Sequence, residues 1–203
     1  MSNEIDIRKA ISKQDLQNFP TGKFGGEIIV VDQLEQVSAA IAELSKEAFI
    51  GFDTESKPSF EKGKSNVNQV ALMQLSSEHR AFLFRINIIG LPKELKALLE
   101  NPKILKIGSA VHGDLDKIKV LDANKSYHPQ GFVDIQIIAK RNGMASVGLK
   151  KLSAILLGFR MSKRHQLTNW ETETLSFGQL NYAATDAWAT FKVYQEFAKR
   201  KML

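Results

Sequence analysis

Three small groups of residues carry the chemistry open to this sequence. Asp53 and Glu55 follow the apolar run Phe49-Ile50-Gly51-Phe52. Residues two apart on an extended chain point to the same side, so both carboxylates leave one face of a strand end. Two like charges at that spacing repel each other and resist desolvation, and a hard divalent cation between them reverses the balance. Asp114 follows Ile104-Leu105-Lys106-Ile107-Gly108 by a short connector and opens a helix, with His112 and Asp116 beside it. Tyr182 and Asp186 stand at i and i+4 and so share a helix face. Ala183, Ala184 and Ala187 surround them and permit close approach by a neighbour. Taken singly, each group has an ordinary reading: a solvated strand end, a charge favourable at a helix N-terminus, a core tyrosine beside a surface aspartate.

The elements that must position these groups can be read from periodicity. Ile28–Val31 is a short apolar strand, and Asp32 is expected to cap the helix marked by Leu34, Val37, Ala40, Ile41 and Leu44. Ala48–Asp53 reads as a buried strand, and 56–68 as a polar loop. Gln69–Leu75 and Arg80–Phe84 read as an antiparallel pair, and Ile104–Gly108 as a fifth strand. Helices are predicted near Pro92–Leu99, Gly113–Leu121, Asp134–Arg141, Leu149–Leu157 and Phe177–Lys199. Ser176 and Gln179 form the capping box of the last helix. Strands first, then interleaved and accumulating helices, predict an α/β fold with a mixed sheet covered by helices. Residues 1–25 read as an extension, with a weak helical stripe (Ile7, Ile11, Leu16) and a turn-rich connector over 20–26; the body spans 26–203.

Composition narrows the classes. The chain has 203 residues, with 28 Lys plus Arg against 22 Asp plus Glu, a net charge of +6 that permits a polyanionic partner without requiring one. With no cysteine there is no disulfide framework, thiol nucleophile or cysteine-based zinc site. No apolar run is long enough for a membrane span, and the charged start MSNEIDIRKA does not suit a signal peptide. A cytoplasmic address and no membrane partner are expected.

Taken in order, the groups resemble a known pattern. A DxE at a strand end, an aspartate after a later strand and a YxxxD on a C-terminal helix mark the DEDDy 3′–5′ exonuclease superfamily. The chain resembles the exonuclease domain of Werner-type proteins and, more distantly, ribonuclease D. The resemblance runs from about Ile28 to Lys199. It includes Gly51-Phe52-Asp53-Thr54-Glu55, Val70–Leu75, Leu98–Asn101, Gly113-Asp114, Leu149 with Leu152 and Leu157-Gly158, Thr168-Asn169-Trp170 and Tyr182–Ala187.

The resemblance implies a ribonuclease H-like fold, a five-stranded mixed sheet flanked by helices, matching the five strands read above. It implies a catalytic domain over 26–203 that releases nucleoside monophosphates from nucleic acid 3′ ends. It also implies two divalent cations, Mg²⁺ or Mn²⁺, held by Asp53, Glu55, Asp114 and Asp186, with Tyr182 orienting the attacking water. Asp134 is read as structural, capping the following helix. Substrate contacts are expected from Thr54, from Phe60 by stacking on a base, from His112 and from Lys163. The surrounding Lys57, Lys62, Lys64, Lys150, Lys151, Arg164 and His165 would offset the acids and hold the strand's backbone. Trp170 reads as an apolar anchor. DNA is the favoured substrate. The alternatives are an RNA 3′-end trimming enzyme of the ribonuclease D sort and a non-catalytic nucleic-acid-binding module on the same fold.

Overall fold

The computed structural model describes residues 10–56, 69–122 and 124–203. Six strands form one mixed sheet: β1 (Glu27–Val31), β2 (Phe49–Ser56), β3 (Val70–Ser76), β4 (Arg80–Phe84), β5 (Leu105–Gly108) and β6 (Phe132–Asp134), in the order β1-β4-β3-β2-β5-β6. The β2–β3 and β3–β4 pairs are antiparallel and the others parallel. The expected count of five is therefore corrected to six. The added strand has three residues, too few for a period to show, and it exists because Lys106–Gly108 offers it a parallel edge.

Among the described residues, seven α-helices accompany the sheet: α1 (Leu34–Leu44), α2 (Ile86–Ile89), α3 (Lys93–Glu100), α4 (His112–Leu121), α5 (Ile135–Arg141), α6 (Leu149–Leu152) and α7 (Phe177–Lys199). The segment expected as one helix over 149–157 changes winding at Ser153 into a π-helical turn, Ser153–Leu157, closed by Gly158 at φ +74°. Asp32 does not cap α1. The helix starts one residue later, and Gln33 and Gln36 share a reciprocal capping box. The box at Ser176 and Gln179 forms as read, with α7 running over the predicted residues.

Alternation along β2 sets the layers. Ile50 and Phe52 are fully buried in the core shared with α1 and α3. Phe49 stacks on Phe191 of α7 at 4.8 Å between ring centroids, and Gly51 lies against the same helix. A Cβ at Gly51 would sit 1.9 Å from the Ala187 carbonyl oxygen, so only glycine lets α7 lie this close to β2. Ala187 is fully buried at that contact, and Ala183 and Ala184 are fully buried along the same helix against β3 and β4. Each large side chain in these layers contributes roughly 1.5–3 kcal/mol of burial. α7 is thereby fixed against the strand that carries the first acidic pair.

The N-terminal segment lies on the body over its described part. Ile11 is buried beside α5 and the π-helical turn, and Ser146 Oγ accepts from its backbone N–H. The helical stripe is not borne out there: a four-residue 3-10 turn, Asp15–Asn18, stands where Leu16 falls, and Ile7 is outside the described residues. Thr21 bridges Arg160, and Phe24 is buried against Trp188 of α7.

Candidate active site

Parity on β2 carries through to its functional end. Asp53 and Glu55 continue the register of Phe49 and Gly51 and face α7, while Thr54 continues that of Ile50 and Phe52 and faces the other layer. Within β2, β5 pairs with Phe49–Gly51, so Asp53, Thr54 and Glu55 run past its end. α4 begins there. The Thr54 hydroxyl donates to Asp114 Oδ1 at 2.7 Å and ties the first helical turn to the strand. The connector to α4 needs a positive φ at Ala110 (+59°), where L residues rarely sit. Asp134 steadies it: its Oδ1 accepts from the Ala110 N–H at 3.1 Å and from the Gln136 N–H at 2.8 Å. Its role as the cap of α5 is borne out, and it also holds the turn that delivers Asp114.

From the opposite layer, α7 brings Tyr182 and Asp186 to the same end of β2. One carboxylate oxygen each from Asp53, Glu55 and Asp186 lie within 4.8 Å of one another. Asp114 stands outside this triplet, on the side held by Thr54. Tyr182 and Asp186 are both 7% exposed. Residues apart by 133 positions thus converge because Gly51 and the alanines admit α7.

The electrostatics follow from crowding and burial. Desolvation is the largest cause of a shift in each acid. Burial and the charge of Asp186 push Glu55 up to about 8. Burial pushes Asp186 up to about 7, against a hydrogen bond from Tyr182 and the attraction of Lys150. Asp53 is raised well above the usual carboxylate range by burial and then by Asp186, Glu55 and Asp114. Asp114 is raised by burial, partly offset by the Thr54 hydrogen bond. The Tyr182 hydroxyl is held firmly protonated by burial and by the charge of Asp186. Such a set is strained while only protons neutralise it. Its donors are all carboxylate oxygens, clustered at a spacing that ions of the magnesium type span, so the residues fit hard divalent cations.

An open cleft of about 500 Å³ lies over the acids. One wall is Asp53, Thr54, Glu55, Tyr182 and Asp186. The other is the start of α6 (Gly148, Leu149, Lys150, Lys151) with Ser109, Lys163 and Gln166. Of the expected substrate contacts, Thr54 and Lys163 line this cleft, and the Thr54 hydroxyl is already engaged by Asp114. His112 does not line it; its side chain is 93% exposed and stands 3.9 Å from Asp116. Phe60, Lys57, Lys62 and Lys64 lie outside the described residues. Trp170 is fully buried, its ring 6.0 Å from that of Tyr182, as befits an anchor. Sequence reasoning grouped Lys150 with seven other basic residues. Its position over the Tyr182 ring, 5.9 Å from the centroid, depends on how α6 meets α7 and left no local signal.

Comparison with known proteins bears on this geometry. A family model described as 3′–5′ exonuclease matches residues 28–201. A 3′–5′ exonuclease of Arabidopsis thaliana is 30% identical over 208 residues, covering 93% of this chain and 69% of that one. The mouse bifunctional 3′–5′ exonuclease/ATP-dependent helicase WRN is 31% identical over 189 residues, covering 88% of this chain and 13% of the relative. The chain therefore spans most of the first relative and a small part of the second. Two solved structures share the fold. The Aedes aegypti Nibbler EXO domain has a TM-score of 0.76 at 21% identity, covering 86% of this chain and 88% of that one. Escherichia coli RNase D has a TM-score of 0.73 at 24% identity, covering 88% and 47%. The fold is thus ribonuclease H-like. Matched over nearly the whole of its body, and with its acids gathered at one strand end, the chain belongs to the 3′–5′ exonuclease family and is an enzyme of that class.

Proposed function

We propose that this protein removes nucleotides one at a time from the 3′ end of a nucleic acid, DNA being favoured, with Mg²⁺ or Mn²⁺ bound at Asp53, Glu55, Asp114 and Asp186. The observation that carries the reading is the convergence of three carboxylate oxygens, from buried Asp186 and half-buried Asp53 and Glu55, within 4.8 Å under a cleft with a basic wall. Asp53, which feels the charges of Asp186, Glu55 and Asp114 together, would contribute to holding both cations. Glu55 and Asp186 would help hold the cations from the α7 side, and Asp114, oriented by Thr54, would help from the other. Bound there, the two cations supply Lewis-acid charge and a more acidic water.

The chain's own groups do the rest. Tyr182 stays protonated and orients the attacking water by hydrogen bonding. The water oxygen forms a bond to phosphorus as the bond from phosphorus to the 3′ oxygen of the preceding nucleotide breaks. That oxygen takes up a proton, and the terminal nucleotide leaves as its 5′-monophosphate. Lys163 at the cleft rim is placed to hold a backbone phosphate.

The test uses 5′-labelled and 3′-labelled DNA and RNA oligonucleotides, each with Mg²⁺, Mn²⁺ or chelator. Stepwise shortening from the 3′ end that stops with chelator supports the reading. Faster loss from RNA would make the chain an RNA 3′-trimming enzyme. Binding with no cleavage under either metal would leave only a nucleic-acid-binding module.

A further inference from the structure

We propose that Lys150 is a further catalytic residue, whose ammonium meets a non-bridging oxygen of the scissile phosphate and carries part of the charge that develops there. The inference rests on the exonuclease reading and adds a residue to it.

Lys150 sits in the first turn of α6, on the wall of the cleft that faces the acids. Its Nζ lies 5.9 Å from the centroid of the Tyr182 ring, within reach of the ring's negative face. Its field reaches Asp186, Glu55 and Asp53 together, and it is itself half-buried. Its hydrogen bond is to a neutral acceptor, Gln166 Oε1, at 3.1 Å, so that bond leaves the charge uncompensated. Lys163, by contrast, is exposed at the rim. A cation held over the water-orienting tyrosine and facing the acid triplet is where a phosphoryl group must pass. An ammonium carries three donors, and one is spent on Gln166. Among the described residues the remaining ones have no hydrogen-bond partner and can meet an oxygen that grows more negative as water attacks. Charge fixed in place before the reaction lowers the barrier more than charge that must be gathered during it.

The experiment compares wild type with Lys150→Met, which keeps the apolar stem, and Lys150→Arg, which keeps the charge. Two substrates are used: a labelled oligonucleotide and the p-nitrophenyl ester of thymidine 5′-monophosphate, which has a scissile phosphate but no upstream strand. Each is measured across a titration of Mn²⁺. Lys150→Met is expected to lower kcat about 10- to 100-fold on both substrates, with little change in KM or in the metal concentration giving half-maximal rate. Lys150→Arg should recover part of the loss. A defect confined to the oligonucleotide and seen in KM would overturn the inference, making Lys150 a strand contact. So would a defect that excess metal removes, which would make it an aid to metal binding, and so would unchanged kcat. Wild type inert on both substrates would overturn the exonuclease reading itself, and this inference with it.

Discussion

Among the described residues, buried positive and buried negative charge are treated in opposite ways. Lys106 on β5 is fully buried, yet its ammonium donates to the carbonyl oxygens of Asn101 at 2.8 Å and Leu98 at 3.3 Å, at the C-terminal end of α3. It also lies over the Phe132 ring at 5.2 Å. Arg85, 2% exposed, donates to the backbone carbonyls of Thr172 and Glu173 and pins the loop that holds Trp170. Both cations meet backbone acceptors the fold itself supplies, although Arg85 Nε has no partner among the described residues, and for Lys106 the helix end favours positive charge. At the C-terminal end of β2 the buried charges among the described residues are negative and close together, and Lys150 and Lys117 attract them from a distance. Buried charge that the backbone satisfies is architecture. Buried charge left in mutual repulsion is a place kept for something from outside.

The comparison breaks most sharply if an acid proves structural. Asp53→Asn or Asp186→Asn should cut turnover at least about a thousandfold, the scale on which groups that stabilise the transition-state charge act. Both variants should melt no lower than wild type in chelator, because each relieves repulsion. Full activity in either would remove it from the ligand set, and a large fall in melting temperature would place it with Lys106.

Tyr182→Phe should retain a residue of activity, with a loss of about ten- to a thousandfold, since the phenol orients water and is not the nucleophile. Wild-type rates in single-turnover assays would return Tyr182 to the packing of Trp170 and Ala183.

On the satisfied side, Lys106→Ala should cost about 2–5 kcal/mol by urea denaturation, from the cavity and the abandoned carbonyls. Its activity per folded molecule should not change. Loss of activity without loss of stability would show that the two regions are not separate.

The smallest effect is in pH. Glu55 and Asp186 bind protons more tightly folded, at about 8 and about 7, than unfolded carboxyls do, near 4. Their contribution to metal-free stability is therefore fully present below about pH 4 and lost as pH rises through 7 and 8. Without metal, the melting temperature should fall across that window. Saturating Mg²⁺ or Mn²⁺ should raise it and flatten the slope, the fold gaining about 2.7 kcal/mol at a hundredfold excess over Kd. A flat profile in chelator would mean that neither burial nor neighbouring charge raises Glu55 and Asp186.

Much of the site was legible in the chain because its signals are local. Asp53 and Glu55 at spacing two, and Tyr182 and Asp186 at spacing four, mark one face of a strand and one face of a helix. The capping box at Ser176 marked the start of α7 to the residue. Where local signals were weak or in competition, the reading slipped. β6 is too short for alternation to register. Gln36 outcompeted Asp32 as the partner of the α1 N-terminus because its amide oxygen reaches back to both Asp32 N–H and Gln33 N–H. Nothing near Ser153 announces the change of winding. Lys106 sits in an apolar run that gives no hint of whether its amine reaches water.

By itself the sequence determined which side chains bear charge, which of them share a face, and where the long helix begins, since each depends on bonds and spacings within a few residues. Only the tertiary structure decided that three carboxylates meet within 4.8 Å, that Asp114 is held one step away by Thr54, and that Lys150 rather than another lysine overlies Tyr182. Those distances are set by how closely α7 lies on β2 and how α6 meets α7, and such packing is a property of surfaces brought together from distant parts of the chain.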